Sequence, residues 1–125
     1  MNTKETGQRG EDLACEYLVK KGYKIIGRNY RINFGEIDII AKKRGFFADK
    51  TIHFVEVKTL SGDIRNFYPE EHVDYRKQNK YKRLVEIWLE KNKLPQDHSC
   101  QVDIIAISIN DEVPKVEFFE NIVEG

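Results

Sequence analysis

The sequence predicts an α/β domain in which helices flank a mixed central sheet, with a further strand near the C-terminal end. Two stretches, GEIDII and TIHFVEVK, alternate apolar and charged residues with period two, which is typical of strands. A third stretch, QVDIIAISI, is apolar almost throughout, which indicates a strand buried on both faces. Two other stretches carry apolar residues at helical spacing. The predicted order is therefore helix, three strands, helix, strand and a last strand.

Length and composition are those of a globular protein. The chain has 125 residues, so we expect residues 1–125 to form a single domain. No run approaches the roughly 18 apolar residues of a membrane helix, and the N-terminus lacks the apolar centre of a signal peptide. We therefore expect a cytoplasmic protein outside the membrane. Cys15 and Cys100 have neither metal-ligand nor disulfide spacing.

Charge is distributed unevenly although the net charge is zero. Residues 95–125 hold seven acids and one lysine, which leaves 20 bases and 14 acids in residues 1–94. A basic face for nucleic acid opposed by an acidic edge would produce this asymmetry, and so would an ordinary solvated surface.

The first helix is predicted over residues 7–21, where apolar residues at 13, 14, 17 and 18 form one stripe and Gly22 ends the pattern. Glu11 lies at the N-terminal end of this stripe. It is either a first-turn acid that the helix dipole favours or a carboxylate that points at the sheet and belongs to a site.

The first three strands are predicted to form a meander. Tyr23–Ile32 is the first of them, and Gly27 indicates a bulge within it. If the hairpin that follows is centred near Phe47, residues whose numbers sum to about 94 lie opposite each other. Asp38 then faces Glu56, and Glu36 faces Lys58.

Two carboxylates held this close repel each other unless a divalent cation or an ammonium group compensates their charge. The acids Asp38 and Glu56, with Lys58 two residues after the second, follow the pattern of the PD-(D/E)xK nucleases. The structural alternative is a charge network that supports the loop at 59–69.

The loop that joins the hairpin strands has a basic tip, Lys42-Lys43-Arg44-Gly45, which in most proteins is a solvated turn. Phe46 and Phe47 follow, and they could cover the core or pack against a partner.

A second helix is predicted over residues 70–91, with Lys77 in a gap of its apolar stripe. Lys77 either extends to water or faces a cleft and contacts phosphate. The nearby basic and aromatic residues would suit nucleic acid or form an ordinary solvated face; they are Arg76, Lys80, Lys82, Arg83, Tyr75 and Tyr81.

The last two strands are predicted over residues 101–109 and 116–122. Asp103 is the one charge inside the first of them, and it could add to the carboxylate cluster or pair with a lysine. No second domain or repeat is predicted.

The αβββαβ order resembles the restriction-endonuclease-like core, and the motifs resemble the bacterial YraN-like family, which is similar to archaeal Holliday-junction resolvases. The matching motifs are Gly7-x-x-Gly10-Glu11 with Ala14, then Leu18, Gly22-Tyr23, Asn29-x-Arg31, Gly35-Glu36-Ile37-Asp38, Phe54-Val55-Glu56-Val57-Lys58, Lys77 and Asp103-Ile104-Ile105-Ala106-Ile107.

The resemblance implies a Mg²⁺ or Mn²⁺ site with Asp38 and Glu56 as ligands, Lys58 beside the attacked phosphate and Glu11 as an accessory acid. Oxygen ligands without Cys or His agree with these metals. The implied protein is a DNA endonuclease or junction resolvase that acts on branched or single-stranded DNA and could form a homodimer. Its expected phosphate contacts are Lys77, Lys80, Arg83 and Arg31. The alternative is a nucleic-acid-binding module of the same fold that does not cleave.

Overall fold

The computed structural model describes residues 2–109 and 112–123. Its helices are α1 (Thr3–Lys20) and α2 (Tyr75–Lys91), and its strands are β1 (Tyr23–Ile32), β2 (Gly35–Lys43), β3 (Ile52–Leu60), β4 (Cys100–Ser108) and β5 (Lys115–Phe119). The predicted αβββαβ order with an additional C-terminal strand is confirmed. Across the described residues, neither helix is long and apolar enough to cross a membrane.

The five strands form one mixed sheet in the order β1-β2-β3-β4-β5. β3 and β4 are parallel and are connected through α2, whereas the other neighbouring pairs are antiparallel. Parallel strands need such a long crossover, because a short turn cannot return the chain to the same end of the sheet. The hairpins place β1 and β5 at the two edges.

Two apolar layers cover the two faces of the sheet. Ala14 and Leu18 of α1 pack on one face, and Leu84 and Trp88 of α2 pack on the other. Neighbouring residues of β4 alternate between these layers and are fully buried in both of them, as Ile104 and Ile105 illustrate. The prediction of a strand buried on both faces is confirmed.

Both helices begin at positions different from those predicted, because side chains cap them. α1 starts at Thr3, where the Asn2 side chain accepts a hydrogen bond from the Glu5 amide. Glu11 therefore lies in the middle of the helix, and its interpretation as a first-turn acid is wrong. α2 starts at Tyr75 rather than at 70, where Asp74 caps it in the same way.

The predicted irregularity and register of the meander are both present. The register between β1 and β2 shifts between Ile25 and Gly27, which is the expected bulge. The β2–β3 ladder pairs Ile39 with Val55 and Ala41 with His53, as the sum of about 94 requires, but it ends before the predicted pairs Asp38–Glu56 and Glu36–Lys58. The final strand ends at Phe119, three residues before the predicted end.

One close approach fixes α1 on the sheet. A Cβ atom added to Gly10 would lie 2.1 Å from the Thr59 Oγ1 atom of β3. A larger residue at this position would have to displace the Thr59 side chain, so the helix backbone lies directly against Thr59. The next residue, Glu11, is thereby held near the end of β3 that carries Glu56 and Lys58.

Candidate functional site

The candidate site lies where β2 and β3 separate. The ladder between them includes Ile39 and Val55, and beyond this pair the Val57 amide donates a hydrogen bond to the Asp38 carboxylate at 2.8 Å. A side chain thus takes the place of a strand partner. Asp38 lies between two backbones rather than on one face of a continuous sheet.

The local backbone changes direction at the same point. Ile37 packs in the α2-side layer and Ile39 in the α1-side layer, although residues two apart share a face in a regular strand. Asn29 of β1 lies opposite Asp38 by register and adopts a left-handed φ of 52°. Asparagine tolerates this conformation better than most residues. The irregularity on both strands leaves Asp38 accessible to groups from both faces.

Glu56 is held by three donors on the α2 side. The Tyr81 hydroxyl donates a hydrogen bond to Glu56 Oε2. The Nζ atoms of Lys77 and Lys58 lie 3.3 Å and 3.5 Å from Glu56 Oε1. The Glu56 side chain is only 18% exposed, so these cations compensate a carboxylate that has lost most of its water.

Asp38 lacks comparable compensation. Burial raises the pKa of Asp38 to about 6, the Val57 amide opposes this shift, and the negative charges of Glu11, Glu56 and Glu36 add to it. Asp38 therefore holds its proton to a higher pH than an ordinary aspartate does, and its ionised form costs more free energy. A cation placed beside it would lower the pKa of Asp38 again.

Glu11 approaches the same cluster from α1. Its Oε1 atom is buried without a hydrogen-bond partner, and the nearest cation is Arg28, at 3.9 Å. Burial raises the pKa of the Glu11 carboxyl, Arg28 lowers it and Glu36 raises it again. Arg28 itself is engaged by Asp12 at 2.9 Å. Glu11 thus retains a buried acceptor oxygen, Oε1, that has no hydrogen bond.

A cleft of ≈ 460 Å³ opens beside Glu56 on the α2 side, and three of the four predicted phosphate contacts line it: Arg31, Lys77 and Lys80. The Lys80 side chain lies over Gly35, at whose position a Cβ would be 2.4 Å from the Lys80 Cε atom. Arg83 is not in the cleft. It contacts Glu86 at 3.4 Å on the exposed side of α2, and its position on the helix is turned by about 120° from that of Lys77, which lines the cleft.

Two residues that the sequence left open are now placed. Glu36 also lines the cleft, but its carboxylate pairs with Arg31 at 2.9 Å and not with Lys58 as expected. Asp103 belongs to a separate buried cluster, in which its Oδ2 atom lies 2.7 Å from His53 Nδ1 and its Oδ1 atom accepts from the Asn121 amide. It therefore serves the packing of β4.

The donor set fits a hard divalent cation that takes part of its coordination from water and substrate. Over residues 2–109 and 112–123, no three His, Cys, Asp or Glu side chains already form a metal cage. Mg²⁺ is commonly bound through one or two carboxylates together with waters and phosphate oxygens. Asp38 and Glu56 can supply the carboxylates, and Glu11 adds negative charge near Asp38, with one buried oxygen that has no hydrogen-bond partner.

Sequence reasoning missed two supporting residues. The sequence predicts Tyr81 only as one of the basic and aromatic residues of α2, although its spacing of four from Lys77 puts both side chains on one helix face. Arg28 carries no prediction, yet it ties α1 to the sheet through Asp12. The helical spacing could have revealed Tyr81, but no local signal identifies Arg28.

The fold and the site together define an α/β domain with a five-stranded mixed sheet flanked by helices, in which Asp38, Glu56 and Lys58 lie where two strands diverge. The chain belongs to the uncharacterised protein family UPF0102, whose profile matches residues 10–107. The resemblance to the YraN-like family is thereby confirmed.

Relatives match along nearly their whole length. A UPF0102 protein of Thermodesulfovibrio yellowstonii is 43% identical over 117 residues, which are 94% of each chain. One from Dictyoglomus turgidum is 40% identical over 97% of this chain and 98% of its own, and one from Campylobacter lari is 39% identical over 93% and 91%.

Among solved structures, SfsA of Pyrococcus furiosus in complex with Ca²⁺ aligns with a TM-score of 0.40 and 13% identity. The alignment covers 95% of this chain and 64% of the SfsA chain.

Proposed function

We propose that this protein is a metal-dependent nuclease that hydrolyses phosphodiester bonds of DNA in the cleft beside Glu56. The main support is the burial of Asp38 among the charges of Glu11, Glu56 and Glu36. Such an arrangement costs folding stability, and costly clusters of acids in a cleft are frequent at functional sites. The neighbouring ammonium groups of Lys58 and Lys77 could neutralise the charge of a bound phosphate.

Asp38 and Glu56 would hold Mg²⁺ or Mn²⁺. The cation would supply neutralisation of charge at the scissile phosphate and a more acidic water. Lys58 lies within ion-pair distance of Glu56 and is 29% exposed, so its ammonium group can reach a bound phosphate. There it would stabilise the negative charge that develops on the phosphate oxygens during attack. Glu11 would act as an accessory acid.

The α2 residues would orient the ligands and the substrate. Tyr81 and Lys77 restrict the Glu56 carboxylate to one position through a hydrogen bond and an ion pair. Because Lys77, Lys80 and Arg31 share the cleft with Glu56, they can contact phosphates that flank the reacting one. Arg83 would contribute only through the general positive field.

A panel of branched, flapped and linear DNAs incubated with Mg²⁺ or Mn²⁺ tests the proposal and the resemblance to junction resolvases together. Asp38→Asn, Glu56→Gln and Lys58→Ala should each remove nearly all cleavage, and double variants should lose little more because the groups act as one unit. Lys20→Ala, an exposed lysine of α1, is the control and should cut like the parent. Substantial metal-dependent cleavage by Lys58→Ala would refute the assignment of that residue.

A nucleic-acid-binding module without cleavage is the second candidate. It is favoured by one observation, that Lys58, Lys77 and Tyr81 together engage both oxygens of the Glu56 carboxylate. In that case every DNA of the panel would remain intact while salt-dependent binding persisted.

A further inference from the structure

A second cleft, of ≈ 640 Å³, lies at the other end of the β2–β3 hairpin. Five cationic side chains line it, and they are Lys24, Lys42, Lys43, Arg44 and Lys50. Asp49 is the acidic residue in the lining of this cleft. The cleft is concave and strongly positive, although the sequence as a whole has no net charge.

The positive charge of this cleft is costly and is neutralised only in part from within. Lys24 and Lys42 lie directly opposite each other in the β1–β2 ladder, where like charges are destabilising. The Asp49 carboxylate offsets one of the five positive charges and interacts with Lys43, and it accepts hydrogen bonds from the Thr51 amide and hydroxyl at 2.8 Å and 2.6 Å. These bonds lower the pKa of Asp49 and fix the end of the loop. The lysines remain available to an anionic ligand.

Two aromatic rings project beside this cleft. Phe46 and Phe47 are 89% and 95% exposed, so the expectation that they could cover the core is wrong. Their ring centroids lie 5.0 Å apart in an edge-to-face arrangement, which leaves ring faces open to solvent. Two neighbouring, almost fully exposed phenylalanines are uncommon on a surface that contacts only water, and they indicate a binding surface for another molecule.

We propose that the basic cleft and the Phe46–Phe47 pair bind a single-stranded segment of nucleic acid, the phosphates along the lysines and the bases stacked on the rings. Basic grooves that follow the backbone, combined with aromatic rings that accept any base, are the usual means of binding single strands. A duplex keeps its bases stacked internally and would leave both rings without partners. The inference rests on the proposed function in taking nucleic acid as the ligand.

The two clefts can be reached by one strand. Both lie on the α2 side of the sheet, since Ile52 of the basic cleft and Tyr81 of the candidate site belong to the same apolar layer. Lys42 and Glu36 are six residues apart on β2, which corresponds to about 20 Å at ~3.3 Å per residue. A strand rising ~3.4 Å per nucleotide covers this distance in about six nucleotides.

Binding of fluorescein-labelled oligothymidylate, measured by anisotropy in EDTA, tests the inference without depending on cleavage. Affinity should increase with length up to about 10 nucleotides and then change little. Phe46→Ala/Phe47→Ala should weaken binding about tenfold or more at unchanged melting temperature, because both rings are exposed. Lys42→Ala/Lys43→Ala should reduce the slope of log affinity against log salt by about 1.4. The control Lys4→Ala/Lys20→Ala removes the same charge from α1 and should leave affinity unchanged.

Unchanged affinity in the phenylalanine variant would overturn the inference. So would stronger, phenylalanine-dependent binding to vesicles of phosphatidylglycerol and phosphatidylcholine in a 1:3 ratio, which would assign the surface to a membrane. If no DNA is cleaved but the Phe46/Phe47 and Lys42/Lys43 variants lose binding, the proposed function fails and this inference stands. If DNA is cleaved and these two variants bind and cut like the parent, only the inference fails.

Discussion

Replacing Asp38 by asparagine isolates the electrostatic cost of the site. The two side chains have nearly the same shape, and the carbonyl oxygen of the introduced amide can still accept the hydrogen bond that the Val57 amide donates to Asp38. What changes is the charge next to Glu11 and Glu56. The substitution therefore measures the cost of keeping that charge rather than the loss of a contact.

The size and pH range of the effect follow from the Asp38 carboxyl. Burial, together with the neighbouring acids, raises its pKa from 3.8 to about 6 in the folded protein, which corresponds to about 3 kcal/mol. Because the folded pKa is the higher one, the contribution of Asp38 to stability is fully present below pH ~4 and is lost as pH rises through ~6. At pH 8, Asp38→Asn should be more stable than the parent by up to about 3 kcal/mol. Below pH ~4 the difference should disappear.

Urea unfolding of both proteins in EDTA at several pH values between about 4 and 8 gives the required free energies. Asp63→Asn is a control of opposite sign, since hydrogen bonds from Arg65 lower the pKa of Asp63 to about 2 and the variant should lose stability near neutral pH. Mg²⁺ at about ten times its dissociation constant should stabilise the parent by about 1.4 kcal/mol and the Asp38 variant not at all. A variant less stable than the parent at pH 8, with neither protein responding to metal, would establish a structural charge network and refute this reasoning.

Two further predictions address packing and binding. Gly10→Ala should destabilise the protein by about 1–3 kcal/mol, because the added Cβ would meet Thr59 Oγ1. Gly7→Ala on the same helix has open space around it and should be neutral or stabilising. Equal effects of the two substitutions in thermal melts would contradict the close approach of α1 to β3. Lys77→Ala and Lys80→Ala should each reduce the slope of log affinity for duplex DNA against log salt by about one, while Arg83→Ala should change it less. Unchanged affinity in a double Lys77/Lys80 variant would show that this face of α2 does not contact DNA.

The sheet and its register were predictable because strands have a short and strict period. Alternation in GEIDII and TIHFVEVK determines which residues face the same way, and a hairpin centred near Phe47 then determines which residues oppose each other. Helix starts were less predictable. They depend on single capping side chains, Asn2 and Asp74, whose signal is weaker than a run of apolar residues.

The order of elements and the association of Asp38, Glu56 and Lys58 with one end of a hairpin could be predicted from the sequence, because they follow from contacts between neighbouring strands. Which groups of the helices reach that point became visible only in the folded structure. Glu11 arrives because glycine lets α1 rest on β3, and Lys77 is directed to Glu56 by the packing of α2. Such placements depend on how rigid helices dock on a twisted sheet, and no local sequence period encodes that geometry.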